Sequence, residues 1–541
     1  MRMKHRKCPF RANPLPSFTI LAIVVFYMST NFLHHNWTRD DPGRRGVIRW
    51  DVISYYSYLP ATFIYGDVTL DFLDDPPEGF RNDDKFWPIT LENGNRLIIT
   101  SMGLSVLYAP FFFMAHALAP LFGEARDGFG SIYQFFLVFG ALVYVILGLV
   151  VLKNLLLRYF KPRVTAVTLL AIAFGTNLLY YSTFEAAMSH SYNFFLIVLF
   201  MVTVIRWYEK PGVGWTLLTG ALFGLIALVR PTNILVIFFL VLWDVKSWRE
   251  FTARTGFFFR KFHLVLLMMA AFIMVWIPQL LYWKALTGQY FFFSYGAKGD
   301  AFYFLQPQVL NSLFSYKKGW FVYTPMMLLA VAGIPILWRR LRQFFFPVLL
   351  LLLSMIYVQS SWWCWWFGGG FGLRAYIDIY GIMAIPLAVM VEVILLRSRK
   401  FFRVAGIFLI AALVAFQLIN TYQYWKRVIH HDGMNRQVYW KSFLRLKPPD
   451  GIQELMTIPD SDLAMKGIYV ACYAGDQYRE IAEMEPGKAI GRVKEMIRED
   501  PRLVRQIGRY ARRNGVETED AFSRVAESMY FRMIEKPESA R

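Results

Sequence analysis

The sequence predicts an all-α, polytopic membrane protein that ends in a small helical region. Three observations predict it. Hydrophobic residues make up 56% of the 541 and aromatic residues 18%, more than a water-soluble enzyme of this length carries. The apolar residues gather into runs that cross a bilayer or nearly do so. From Tyr439 onward the composition turns charged and amphipathic helical periodicity takes over.

The formal net charge of +20 would suggest nucleic acid in a soluble chain. Here many Lys and Arg stand in short loops between apolar runs, where they set topology, and nucleic acid is not an expected partner. The three cysteines, Cys8, Cys364 and Cys472, form no CxxC pair and no metal-ligand spacing.

The first element is the apolar run from Phe18 to about Leu33, which follows the basic "MRMKHRKCPFR" and lacks a small-x-small cleavage site. It reads as a retained signal anchor. Further spans are expected near 129–152, 164–183, 189–207, 262–284, 321–338, 344–360, 375–396 and 403–424. The 214–243 run is interrupted by "RPTN", Arg230 to Asn233, and reads as two shorter helices meeting at a Pro turn. The total is about eleven transmembrane helices.

Hydropathy would add 97–122 as a further crossing, but charge argues against it. If it does not cross, the basic loops at 153–163, 244–261, 339–342 and 397–403 all share the side of the basic N-terminus. The segment is therefore expected as outer-face interfacial helices broken at Pro110. This places the N-terminus inside, a first outer loop at 36–128, a membrane domain at 1–424 and a soluble helical region at 425–541 outside. Within that region helices are expected near 487–499, 501–513 and 519–533, with Thr518 as an N-cap.

Candidate chemistry gathers in four stretches. "RWDVISYYSYLPATFIYGD" sets Asp51 and Asp67 among aromatic residues, whereas Asp40, Asp41, Asp83, Asp84 and most other loop carboxylates read as solvated. A carboxylate at the membrane interface can be desolvated or can bind a cation; capping the following helix is the plainer reading of Asp51, and a turn that of Asp67. "FEAAMSHSYNF" carries Glu185 and His190 between two spans, where titratable groups are costly, although an exposed capping turn is as good a reading. Arg230, at the end of a broken helix, can hold a phosphate or snorkel.

The third stretch, "SSWWCWWFGGGFGLRAYIDIYGI", joins four tryptophans and a glycine-rich turn to Arg374 and Asp378, spaced i,i+4. Glycine admits close backbone approach to a ligand and aromatic faces pack on sugar rings, with Tyr55 in the first stretch and Trp366 here as candidate contacts. In the fourth, "NSLFSYKKGWFVYTP", Lys317 and Lys318 can meet phosphate or anchor the interface.

With these residues in view, the acidic first loop, interfacial helices, broken span pair and soluble C-terminus resemble the GT-C superfamily of glycosyltransferases. The nearest groups are the protein O-mannosyltransferase-like and lipid A aminoarabinose transferase-like enzymes. The resemblance covers about residues 1–440; "YYSYLPATFIYGD", "FSYKKGWFVYTP" and "GGGFGLRAYIDIYGI" are similar to stretches of bacterial members. It implies a GT-C-like bundle in a bacterial inner membrane and a sugar donor on polyprenyl phosphate. It further implies a glycan, lipid or protein acceptor in the envelope, and Asp51 as catalytic base or metal contact. Val52 stands where several relatives carry a second acidic residue, which leaves a divalent metal as an open companion of Asp51. The rival reading is a transporter or flippase of a lipid-linked sugar, which uses the same basic and aromatic residues without breaking a bond.

Overall fold

Long apolar helices dominate the computed structural model, which describes residues 14–38, 46–80, 85–473, 480–481 and 483–534. The basic leader with Cys8, and Asp40, Asp41, Asp83 and Asp84, lie outside the described residues. Among those described, eight helical stretches are long and apolar enough to cross a membrane, and three shorter apolar helices, Pro162–Phe174, Val213–Val229 and Pro231–Leu242, accompany them. The chain is a multi-pass helical membrane protein.

Burial ranks these helices. The apolar windows of Ser189–Glu209 and Arg374–Arg397 are each 72% buried, whereas those of Phe262–Thr287 and Lys400–Trp425 are 22% and 11% buried. The first two are therefore central, and the last two present their apolar sides to lipid, where a side chain loses nothing by exposure. Val213–Val229 meets Phe262–Thr287 through Gly220 and Gly224. A Cβ on Gly220 would stand 2.3 Å from the Met268 carbonyl oxygen and one on Gly224 2.8 Å from that of Phe272, so this small-xxx-small pair lets the backbones touch.

The "RPTN" break is present as expected. Arg230 is extended (φ −147°, ψ 109°), as a residue before proline prefers, and a 3-10 turn, Pro231–Val236, leads into Ile237–Leu242. Other expected elements are corrected. Residues 97–122 do not break at Pro110: Gly103–Leu118 is one helix with Pro110 inside it, and with Ala119–Phe122 it is long and apolar enough to cross. Neighbouring helices cover half of it, which is how a membrane helix tolerates a proline. The 164–183 run is two helices, Pro162–Phe174 and Leu178–Thr183, parted at Gly175. The 321–338 run is cut at Pro325 into Trp320–Tyr323 and Met326–Arg340, because proline lacks the N–H a continuing helix needs.

The chain forms two compact units: 1–298, 324–355 and 375–417 in the first, 299–323, 356–374 and 418–541 in the second. The second unit contains the helices Pro486–Glu499, Pro501–Asn514 and Thr518–Ile534, close to the expected bounds. They bury Ala489, Val493, Ile497, Ile507, Ala521 and Val525 against one another. Asp500 accepts the Arg502 N–H at the start of the middle helix, and Gly515, at φ 64°, ends it. Two small antiparallel ladders, Ile89–Thr90 with Arg96–Leu97 and Thr457–Pro459 with Ala471–Tyr473, are additions to the all-α expectation.

Candidate functional site

In the first unit the chain enters its site through a strained turn. The N–H groups of Val47 and Ile48 both donate to the buried Gln134 Oε1, at 2.6 and 2.9 Å. Trp50 then takes a positive φ of 54°, an uncommon conformation for a bulky residue that persists only where its surroundings impose it. Asp51, half-buried, follows as the first residue of the short helix Asp51–Tyr56, with Trp50 in the N-cap position before it. In the neighbouring helix Gly103–Leu118 the Tyr108 phenol donates to the Ala187 carbonyl. Buried Tyr55 adjoins the same helix, its carbonyl accepting from Ser105.

Ala187 belongs to the turn that carries Glu185 and His190, and Ser189–Glu209 starts within it. The Tyr180 hydroxyl donates to Glu185 at 3.2 Å. His190, 1% exposed, places Nδ1 2.9 Å from Oδ1 of the fully buried Asp378. The other Asp378 oxygen accepts from Asn233 Nδ2 at 2.8 Å and Asn193 Nδ2 at 3.3 Å, with Arg230 Nε at 3.6 Å. A carboxylate with no exposed surface needs such a set of donors, because burying its charge alone is prohibitive.

Arg230 Nη1 also lies 3.1 Å from His190 Nδ1. One nitrogen cannot both donate to Asp378 and accept from Arg230. The carboxylate, an acceptor from two amides, takes the Nδ1 proton, and Arg230 packs alongside. The Arg230 side chain keeps 14% exposure. This unit contains the half-buried Asp51 and, packed together, His190, Arg230 and Asp378 within one hydrogen-bonded cluster.

Sequence reasoning named His190, Arg230 and Asp378 in three separate stretches, and the fold brings all three together. It paired Asp378 with Arg374 instead. Residues 374–379 form a 3-10 helix, in which positions four apart do not share a face, and the cation of Asp378 is Arg230. Asn193 and Asn233 were missed as ligands of Asp378, although both lie inside stretches already singled out; polar amides in apolar helices were the available signal. Gln134 carried the same signal.

Asp67 holds a turn, as read. Its oxygens accept from Thr69 N and Oγ1 at 3.0 and 2.6 Å and from Phe72 N at 2.9 Å. Burial raises its pKa, but these bonds together outweigh it and hold the carboxyl below its usual range.

Arg374, Lys317, Lys318 and Trp366 belong to the second unit. Lys317 donates to the carbonyls of Asp432 and Thr457, at 2.6 and 3.1 Å. Lys318, 2% exposed, donates to those of Gly368 and Gly370, at 2.5 and 2.7 Å, and so clamps the glycine-rich turn. Trp366 is 3% exposed and packs with Trp363 and Trp365, as a core residue does. Cys364 in the same cluster is a free thiol whose pKa burial pushes up to about 12. Among the described residues no three of His, Cys, Asp and Glu gather as a metal site.

No protein-family model and no curated protein sequence matches the chain. Among solved structures, it is similar to the archaeal oligosaccharyltransferase AglB from Archaeoglobus fulgidus, in complex with an inhibitory peptide and a dolichol-phosphate. The identity is 13% and the TM-score 0.46, over 81% of this chain and 59% of that one. It is also similar to ArnT from Cupriavidus metallidurans bound to undecaprenyl phosphate, at 14% identity and a TM-score of 0.42, over 96% of this chain and 76% of that one. This chain spans about six-tenths of the archaeal enzyme's length (59%).

Proposed function

We propose that the chain is a glycosyltransferase that moves a sugar from a polyprenyl-phosphate donor to an envelope acceptor at the outer face of a bacterial inner membrane. The N-terminus is cytoplasmic and the region after about residue 425 is extracytoplasmic in this reading. What supports it is that the same helical unit holds a half-buried carboxylate, Asp51, and a guanidinium, Arg230, held by the buried Asp378 carboxylate.

The chemistry needs both. As the acceptor oxygen attacks the anomeric carbon its proton passes to Asp51, and the bond from that carbon to the phosphate oxygen breaks with its electron pair going to phosphate. Arg230 meets the charge that grows there, and a fixed cation is worth most in a dry site. A single displacement inverts the anomeric centre. The lipid tail lies against apolar helices, and the transferred group is a hexose or pentose.

A transporter of the same lipid-linked sugar also uses a broken helix with a charge at the break, as at Arg230 and Pro231. Release of free polyprenyl phosphate from labelled donor separates the two. Turnover by wild type that drops by about 100-fold or more in Asp51→Asn, with donor binding kept, is the transferase result. No release from several donors in the presence of acceptor extract overturns it in favour of transport.

A further inference from the structure

The middle helix of the second unit, Pro501–Asn514, has a feature the proposed reaction does not use. Arg502, Arg505, Arg509, Arg512 and Arg513 are all exposed, and at 100° per residue they fall on one arc of about 100°, opposite buried Leu503, Ile507 and Ala511. Neighbouring helices neutralise their cations: Lys494 and Arg498 share Glu519, and Arg532 pairs with Asp462. Among the described residues none of the five arginines is paired with a carboxylate.

The second observation is what lies beside this face. Arg509 Nη1 donates to the Leu305 carbonyl at 3.3 Å, and the Arg513 guanidinium stands 4.8 Å from the Tyr303 ring centre while also donating to the Lys466 carbonyl at 2.8 Å. Leu305 is 92% exposed. Next to it, Phe304 stacks on Tyr357, with ring centres 5.7 Å apart, and its carbonyl accepts the Tyr357 hydroxyl at 3.0 Å. Tyr357 lies one turn before the end of Phe345–Ser361, in the stretch Arg342–Ser361 that is apolar enough to cross the membrane. The Phe304–Leu305 turn thus packs against the last turn of a candidate membrane span, and the arginine face is hydrogen-bonded to it.

We propose that this arginine face and the Phe304–Leu305 turn form a docking surface for anionic phospholipid headgroups. An exposed leucine and phenylalanine against the last turn of a candidate span, with unneutralised arginines beside them, are the two components of interfacial binding: apolar insertion and attraction to lipid phosphate. A soluble acidic protein or nucleic acid would use the charges but leave Leu305 unexplained.

The test is hydrogen exchange on the full chain in nanodiscs of phosphatidylcholine alone or with phosphatidylglycerol. Exchange across 501–514 is expected to slow at least about threefold in the anionic discs, and high salt is expected to abolish the slowing. The triple variant Arg505→Gln, Arg509→Gln, Arg512→Gln loses the response, and the corresponding lysine variant keeps it. Equal exchange in both lipids overturns the proposal, and slowing by soluble heparin without slowing by anionic lipid assigns the face to a soluble acidic partner. Should the glutamine variant loosen 486–499 as well, the lipid and salt dependence of the wild type decides.

Discussion

His190 gives its Nδ1 to Asp378 at 2.9 Å across 188 residues of sequence, with neither side chain reaching solvent. The pair ties the start of Ser189–Glu209 to the 3-10 turn Arg374–Ile379, and Arg230 and Asn233 tie in the helix break. Three separate segments thus depend on one carboxylate, whose removal strands their donors in the interior.

Asp378→Ala is therefore expected to cost about 3–5 kcal/mol, the range found when one partner of a buried ion pair is deleted. Asp378→Asn keeps the volume but places an amide against Arg230, and is expected to fall between alanine and wild type. Thermal unfolding in detergent checks both. An unchanged midpoint for Asp378→Ala would show that the network does not hold the three segments.

Gly224→Leu tests the close helix pair. A Cβ at this position already stands 2.8 Å from the Phe272 carbonyl oxygen, so a leucine forces Val213–Val229 away from Phe262–Thr287. Overpacking of this kind costs about 1–3 kcal/mol, and the shift also displaces Arg230 at the end of the helix. A lower unfolding midpoint accompanied by loss of turnover is the expected outcome. Gly214→Leu, at a glycine with open space around it, is the control that should change neither.

The sequence made some of this legible and left the rest hidden for physical reasons. Apolar length marks spans, and amphipathic period marks the 486–534 helices, because both are local properties. Pro110 misled because proline usually ends a helix, and only packing from neighbouring helices keeps Gly103–Leu118 whole. In the site, His190, Arg230 and Asp378 were each visible as charges at membrane depth, but spacing paired Asp378 with Arg374 on an α-helical assumption that the 3-10 turn removes. Asn193 and Asn233 show no such charge, and their role depends on a long-range contact that no local pattern encodes.

Lys318→Met separates clamping from phosphate binding. With its ammonium buried on the Gly368 and Gly370 carbonyls, methionine of similar length leaves both acceptors without their charged donor, a loss of about 2 kcal/mol. Faster hydrogen exchange across 367–373 with an unchanged KM for the lipid donor is expected. A raised KM with unchanged exchange would move Lys318 into the substrate site.

His430 should make the second unit sensitive to acid. Its Nδ1 accepts the backbone N–H groups of Asp432 and Gly433, at 3.1 and 2.7 Å, so the ring must be neutral at that nitrogen. Burial lowers its pKa from 6.5 to about 4, with the neighbouring His431, Lys317 and Lys318 acting in the same direction and Asp432 against them. In the unfolded chain the ring takes up a proton near the ordinary value, so between about 4 and 6.5 the unfolded state holds more protons than the folded one. Stability is therefore full above about 6.5 and falls as pH drops toward about 4, where the loss levels off. Allowing for solvent at the half-buried ring, the change is about 1–2 kcal/mol. His430→Asn supplies a carbonyl acceptor that does not titrate, so the protection of the Asp432 and Gly433 amides, taken relative to the intrinsic exchange rate at each pH, should fall on acidification in the wild type and stay flat across that range in the variant.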